Sequence, residues 1–547
     1  MPAVRVAMAQ INPTVGDLAG NSAKIIDFAT RAKEQGADLV LFPELALSGY
    51  PIEDLALSQD FLTSSEEALE KLAADLVQAG CGEITAVVGY PGFAKDPTSW
   101  AIGQNKAAVI RAGKIEGEYA KHHLPNYSVF DEYRVFVPGK QSLTFAIEDL
   151  KVAVVICEDI WQSGGPVAEI SKSNVDLTLV LNGSPFETSK TDSRLALVQS
   201  LAKTQSSAVA YVNLVGGQDD LVFDGNSFVV DSIGKEIVRA SQFKEDLVHF
   251  EITSKKDLVA HSKSVEQAPE IEQIWNALVL GLRDYVQKNG FQSVVLGLSG
   301  GIDSALCASL AVDALSAKNV FGVGMPSKYS SEHSLTDARE LASNTGLNYS
   351  EEPIESVVQA MMTQLPLDGL AAENLQARVR ALILMGLSNQ NGHLVLTTGN
   401  KTELAVGYST IYGDSVGGFA PIKDVEKGLV WELARYRNQL AKSLGQTAPI
   451  PESSITKPPS AELRPDQLDQ DSLPDYEVLD RLLELHVEQK LSASEIVSRG
   501  FDSQLVESVL KLVRNSEWKR RQGAIGPRIT KLAFGRERRM PITYLPN

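Results

Sequence analysis

An apolar run at residues 293–297 breaks into Gly297-Leu298-Ser299-Gly300-Gly301-Ile302-Asp303-Ser304, a helical pattern follows over 304–315, and a second apolar run occupies 320–325. Strand, glycine turn, helix and strand in that order leave few folds open. Two strands joined through a helix run parallel. A parallel sheet needs cover on both faces, so this half is expected to be α/β, a doubly wound parallel sheet. Glycines let the backbone turn tightly and approach a ligand, and the helix that opens after them aims free N–H groups at an anion. The order Gly-x4-Gly-Lys-Ser/Thr is absent, which argues against a loop that splits β- from γ-phosphate. Asp303 beside bound phosphates would be repulsive unless a cation lay between, so it is assigned to Mg2+. A further strand at 394–398 runs into Thr398-Gly399-Asn400-Lys401-Thr402-Glu403. Glu403 is a second candidate carboxylate for the metal, although the same residue type also caps helices.

Residues 1–250 carry a different rhythm. Short apolar runs at 4–9, 38–42, 85–89, 152–156, 177–181, 209–214 and 227–230 read as strands, with helical patterns at 21–35, 64–79 and 193–206. The alternation predicts a layered α/β domain. Cys157 stands where one strand emerges, and a lone cysteine there is by default a small core residue. Two other strand ends change that balance. Glu44 follows Phe42-Pro43, and Lys121 follows Glu118-Tyr119-Ala120. A thiol with a pKa of about 8.5 is mostly protonated at neutral pH. A glutamate can take its proton, and an ammonium can steady the anion formed when a carbonyl is attacked. Glu44, Lys121 and Cys157 together suit hydrolysis of an amide or nitrile through a thioester. A cysteine–histidine pair using His122 or His123 is the local competitor.

Composition narrows the setting. The chain has 547 residues with 51 Lys+Arg, 69 Asp+Glu and a formal charge of −18. That length suits roughly two to four domains, here placed as 1–250 and 271–547 with a linker at 251–270. The negative balance argues against a nucleic-acid or anionic-membrane binder. Residues 519–539 are locally basic, with eight Lys/Arg against one Glu. No run of about 18 apolar residues predicts a membrane span. Three cysteines, Cys81, Cys157 and Cys307, and a start with no signal-peptide layout predict a reducing, cytoplasmic setting. Residues 451–475 hold five prolines among polar residues and are expected to form a long mobile loop.

Three segments, Phe42-Pro43-Glu44, Lys121-His122-His123-Leu124-Pro125-Asn126 and Cys157-Glu158-Asp159-Ile160-Trp161, resemble the signatures of the nitrilase, or carbon–nitrogen hydrolase, superfamily. The resemblance implies a four-layer α-β-β-α sandwich with Glu44 as base, Lys121 as stabiliser and Cys157 as nucleophile. It also implies a second carboxylate at Glu132 and a glutamine pocket using Tyr127, Ser184 and Lys190. The loop Gly297–Ser304 resembles the pyrophosphate loop of the ATP pyrophosphatases. With Gly407-Tyr408-Ser409-Thr410, Tyr412-Gly413-Asp414 and Glu517-Trp518-Lys519-Arg520-Arg521, the whole chain is similar to the glutamine-dependent NAD synthetases. The resemblance implies a C–N ligase with ATP as co-substrate, Mg2+, glutamine and deamido-NAD, assembled as a homo-oligomer. Gly297, Leu298, Ser299, Gly300, Gly301, Ile302, Asp303, Ser304 and Thr398 would meet ATP, and Asn374, Glu403 and Lys519 would meet deamido-NAD. Lys427 and Ser460 match ATP contacts of the shorter, ammonia-using members, whose Lys and Asp are replaced here by Ile411 and Gly418.

Overall fold

The alternation of side chains along a strand sorts the apolar residues of the first half into three layers. Val4, Val6, Met8, Leu39, Leu41 and Val109 face Val152, Val154, Ile156, Leu179 and Val212, so one core lies between two sheets. Their neighbours point outward. Ala7, Ala9, Val40 and Val88 pack under the helices Leu18–Glu34 and Gln59–Gln78. Ala153, Val155, Val180 and Val209 pack under Gly165–Ile170 and Lys190–Gln205. The result is the expected α-β-β-α sandwich.

The computed structural model describes residues 3–188, 190–465 and 467–543. The chain divides into two units, Met1–Gln218 with Val222–Ala268, and Asp219–Leu221 with Pro269–Asn547. In the first unit Val4–Gln10, Leu39–Leu41 and Thr85–Phe93 run parallel in the middle of a seven-stranded sheet. Leu150–Ile156, Leu177–Asn182 and Ala208–Asn213 do the same in a six-stranded sheet. Glu44, Cys157 and Gly183 all follow the carboxyl ends of these parallel strands.

The unit extends beyond residue 250. Asp246–Ser254 pairs antiparallel with Val4–Gln10, and Asp257–Ala260 pairs back on it. Polar residues at 255–256 that read as the start of a linker are the turn of this hairpin. Only a short stretch separates it from the helix Glu270–Lys288.

The second unit is built on a parallel sheet ordered Asn348–Glu351, Val320–Gly324, Val294–Gly297, Leu394–Val395. From Val294–Gly297 the chain continues to one side, and it returns to the other side only at Leu394. The glycine loop therefore leaves the sheet at a switch point, where α/β sheets open a crevice. Leu375, Val379 and Leu384 of helix Gly369–Asn391 cover one face together with Val295, Val323 and Val395. Helices Tyr476–Leu483 and Ser503–Asn515 form a further core with Ala405 and Val406.

The proline-rich segment is more ordered than its composition implies. It contains the helix Glu452–Thr456 and a 3-10 turn at Asp469–Asp471. Glu462 accepts from the hydroxyls of Ser331 and Ser334 at 2.8 Å each, and Lys457 donates to Asp337 at 3.0 Å. Prolines lower the entropy lost when such a strap is fixed, so a few polar anchors hold it. Among the described residues no helix is long and apolar enough to cross a membrane.

Candidate functional site

Three strand ends of the first unit meet in a buried polar knot. Lys121 Nζ donates to Glu44 Oε1 at 2.7 Å and to Glu132 Oε1 at 2.9 Å. Asn105 Nδ2 also donates to Glu44 Oε1 at 2.7 Å, and the Gly183 N–H donates to Oε2 at 2.7 Å. Both oxygens of Glu44 are thereby aimed. The Tyr50 hydroxyl donates to Glu132 at 2.8 Å. Glu44 and Lys121 are closed to solvent, and Glu132 and Cys157 are nearly so.

Cys157 begins a 3-10 turn, Cys157–Ile160, directly after the strand Leu150–Ile156. Its φ of 41° lies in the left-handed region, unusual for a residue with a side chain. Strain of this kind, at a strand-to-turn elbow, presents a nucleophile to a cleft. Burial, and next the charge of Glu44, push its thiol well above the ordinary value, while Lys121 pulls it down. The resting group is therefore the neutral thiol, and attack needs a base beside it. Desolvation would lower the Lys121 ammonium, but Glu132 and Glu44 outweigh it and keep the amine charged. Burial pushes Glu132 up to about 7, with Lys121 opposing and Glu44 adding to the rise.

The candidate amide pocket is only partly joined to this knot. The Tyr127 hydroxyl donates to Glu158 Oε2 at 2.9 Å, on the residue after Cys157. Ser184 follows Gly183, its N–H donating to Asn213 Oδ1 at 2.9 Å and its hydroxyl accepting from Arg194 at 3.2 Å. Lys190 opens the helix Lys190–Gln205. The histidine competitor finds no support for His122, whose Nδ1 is paired with the Gly139 carbonyl at 2.7 Å. Asn105 and the Gly183 N–H escaped sequence reasoning. The strand Gly103–Arg111 was not anticipated, and a backbone donor has no residue signature.

In the second unit the loop Gly297–Ser304 closes on itself. The Gly301 N–H donates to Ser299 Oγ at 3.2 Å, and Ser304 Oγ donates to the Gly301 carbonyl at 3.0 Å. Gly300 has φ +75°, and a Cβ there would lie 2.2 Å from the Ser334 carbonyl oxygen, so no other residue fits. Leu298 and Ile302 are buried, leaving their backbone to the loop. Asp303 accepts from Asn400 Nδ2 at 2.8 Å and from Lys427 Nζ at 2.5 Å. The same ammonium donates to Glu403 at 3.4 Å.

Glu403 is both a cap and an ion-pair partner. It forms a reciprocal capping box with Asn400 at the head of helix Lys401–Val406. Burial, with Asp303 and Asp469 adding and Lys427 opposing, pushes it up to about 8. Among the described residues no group of three or more His, Cys, Asp or Glu is placed to hold a metal. Asp303 and Glu403 are two, sharing one ammonium, and their mutual repulsion fits a small hard cation that takes its other ligands from phosphate and water.

Thr398 and Glu403 line one pocket with Thr397, Gly399, Ser409 and Asp414. Asn374 Oδ1 accepts from the Thr410 hydroxyl at 2.8 Å. Lys519 Nζ donates to the carbonyls of Gly407 and Ser409 at 2.8 Å each. Asn374 and Lys519 thus converge on the segment that bounds this pocket. Ser460 is used locally, its hydroxyl donating to the Gln467 carbonyl at 2.5 Å.

A thiol–ammonium–carboxylate site on a four-layer sandwich and a phosphate-type loop at a parallel-sheet switch point define a protein that couples amide chemistry to nucleotide chemistry. The carbon-nitrogen hydrolase family model matches residues 5–256, and the NAD synthase model matches 274–523. The chain is 47% identical over 553 residues to the glutamine-dependent NAD(+) synthetase of Acinetobacter baylyi, covering 99% of this chain and 98% of that one. It is 43% identical to that of Aquifex aeolicus, with 99% of each covered. The solved glutamine-dependent NAD+ synthetase of Acinetobacter baumannii, in complex with ADP, superposes with a TM-score of 0.78 at 44% identity, over 99% of this chain and 98% of that one. The chain belongs to the glutamine-dependent NAD(+) synthetase family.

Proposed function

We propose that the chain converts deamido-NAD to NAD in two coupled reactions, as a C–N ligase with glutamine as nitrogen donor. Glu44 takes the proton of the Cys157 thiol as sulfur attacks the glutamine amide. Lys121 faces the oxyanion, Glu44 passes the proton to the departing nitrogen so that ammonia leaves, and water then releases glutamate from the thioester with its proton returned to the Cys157 sulfur. The observation that carries this reading is the closed hydrogen-bond set around Glu44, which leaves its carboxylate aimed and the lysine charged. Tyr127, Ser184 and Lys190 hold the glutamine.

At the second site the loop Gly297–Ser304 and Thr398 hold ATP, and Asn374, Glu403 and Lys519 hold deamido-NAD. Asp303 and Glu403 would hold Mg2+, which neutralises phosphate charge when bound. Lys427, paired with both, offsets part of their repulsion. The pyridine carboxylate attacks the α-phosphorus, pyrophosphate leaves, and ammonia displaces AMP from the adenylate. Ammonia passes between the sites by an internal channel, because bulk water at neutral pH would protonate most of it. The setting is the cytoplasm, with neither a nucleic-acid nor a membrane partner. Incubation with deamido-NAD, ATP, Mg2+ and glutamine should give NAD, AMP, pyrophosphate and glutamate by HPLC. Pyrophosphate release with another carboxylic acid but not with deamido-NAD would identify a different ligase.

A further inference from the structure

We propose that Asp159 is the positioning residue of the amide-hydrolysis site, holding the turn that carries Lys121 and the turn that carries Cys157 in one geometry. The proposal rests on Cys157 being the nucleophile for glutamine. Asp159 is closed to solvent. Its Oδ1 accepts the backbone N–H groups of His122 at 3.1 Å and His123 at 2.8 Å, the two residues after Lys121. Its Oδ2 accepts the Tyr119 hydroxyl at 2.6 Å and the N–H of Ile156, the residue before Cys157, at 3.0 Å.

These donors come from different sheets. Tyr119 lies on Lys114–Ala120 at the edge of the seven-stranded sheet, and Ile156 ends Leu150–Ile156 in the six-stranded one. A side chain that only capped its own turn would accept from Ile156 and stop there. Asp159 spans both layers, and it also closes the turn in which Cys157 holds its strained φ. Four donors, two of them buried and two partly so, need both oxygens of a carboxylate. An amide offers one acceptor oxygen and turns a donor toward the others.

Charge and position predict opposite outcomes for Asp159→Asn. The thiol faces the carboxylates of Glu44, Glu132 and Glu158 and the cations of Lys121 and Arg194. The phenols of Tyr50, Tyr127 and Tyr211 also face it, each held above its ordinary value first by burial and so neutral in the assay range. Removing one more negative charge would ease ionisation of the thiol. Loosening the turn would carry the Lys121 ammonium away and hinder it.

The test is the rate of Cys157 alkylation by iodoacetamide against pH, read by peptide mass spectrometry, with glutaminase kinetics alongside. In Asp159→Asn alkylation at pH 7 should slow roughly tenfold and its profile should move to higher pH. Glutaminase kcat should fall about 100-fold with KM changed less than about threefold. Ammonium-driven NAD formation should persist, which reports an intact chain. Tyr119→Phe removes a single donor and should move both readouts the same way by less, and it carries the test if the first variant does not fold. Faster alkylation, or an unchanged kcat while Cys157→Ala abolishes glutaminase, would overturn the role of Asp159. Glutaminase surviving in Cys157→Ala would overturn the assignment of the nucleophile instead.

Discussion

Glu132 shows how one side chain records the electrostatics of its site. Burial pushes its carboxyl up to about 7, against the attraction of Lys121. A group raised on folding adds stability that is complete below its unfolded pKa, near 4.5, and lost as pH rises through about 7. Glu132→Gln keeps an acceptor for Lys121 and Tyr50 but cannot ionise. Its Tm should decline less than the wild type's between pH 5 and 8 in differential scanning fluorimetry. Parallel declines would show that Glu132 does not titrate there. At this scale Glu44, Lys121 and Cys157 were legible because each ends a strand inside a short motif. The partners that aim them were not, since Asn105 and Gly183 reach Glu44 across 61 and 139 residues of sequence.

Elements with strong periodicity were read closely. The helix expected over 304–315 is Ile302–Leu315, and the strand expected at 177–181 is Leu177–Asn182. The misses have physical causes. Lys114–Ala120 was read only from its end at Glu118-Tyr119-Ala120, because it alternates exposed and half-buried residues up to the buried Tyr119 and lacks an apolar run. Helix Gly369–Asn391 leaves Leu370 and Leu382 in solvent, which blurs its pattern. The segment 451–475 was expected to be mobile, and its anchors are the Glu462 and Lys457 contacts to Ser331, Ser334 and Asp337. Ser454 adds a hydrogen bond to the Gly300 carbonyl at 3.0 Å, linking the strap to the phosphate loop. Binding of ATP and deamido-NAD should therefore tighten it and shield the adenylate from water. Limited proteolysis should cut it more slowly with both bound. Equal cutting with and without them would count against a lid.

At the scale of the whole molecule, assembly and the coupling of the two sites are both measurable. Val357, Met361, Leu365, Leu382 and Met385 are exposed on helices Glu355–Gln364 and Gly369–Asn391 or just beyond, and exposed apolar side chains of this kind are candidates for a contact with a second copy. The helix Glu270–Lys288 buries Ile274, Trp275 and Leu278. Light scattering should give at least a dimer of the 59.1 kDa chain, and a monomer at working concentration would refute homo-oligomerisation. The central claim is that the amide site exists to feed ammonia to the nucleotide site. Cys81 packs in the core beneath helices Leu18–Glu34 and Gln59–Gln78, and Cys307 lies inside helix Ile302–Leu315, where burial and the charges of Asp303 and Glu403 push its thiol up, so Cys157 is the nucleophile proposed. NAD formation by Cys157→Ala, measured with glutamine and then with saturating ammonium at mildly alkaline pH, tests that claim most directly. Glutamine should give no NAD and ammonium should restore it, whereas NAD made from glutamine at the normal rate would contradict the account.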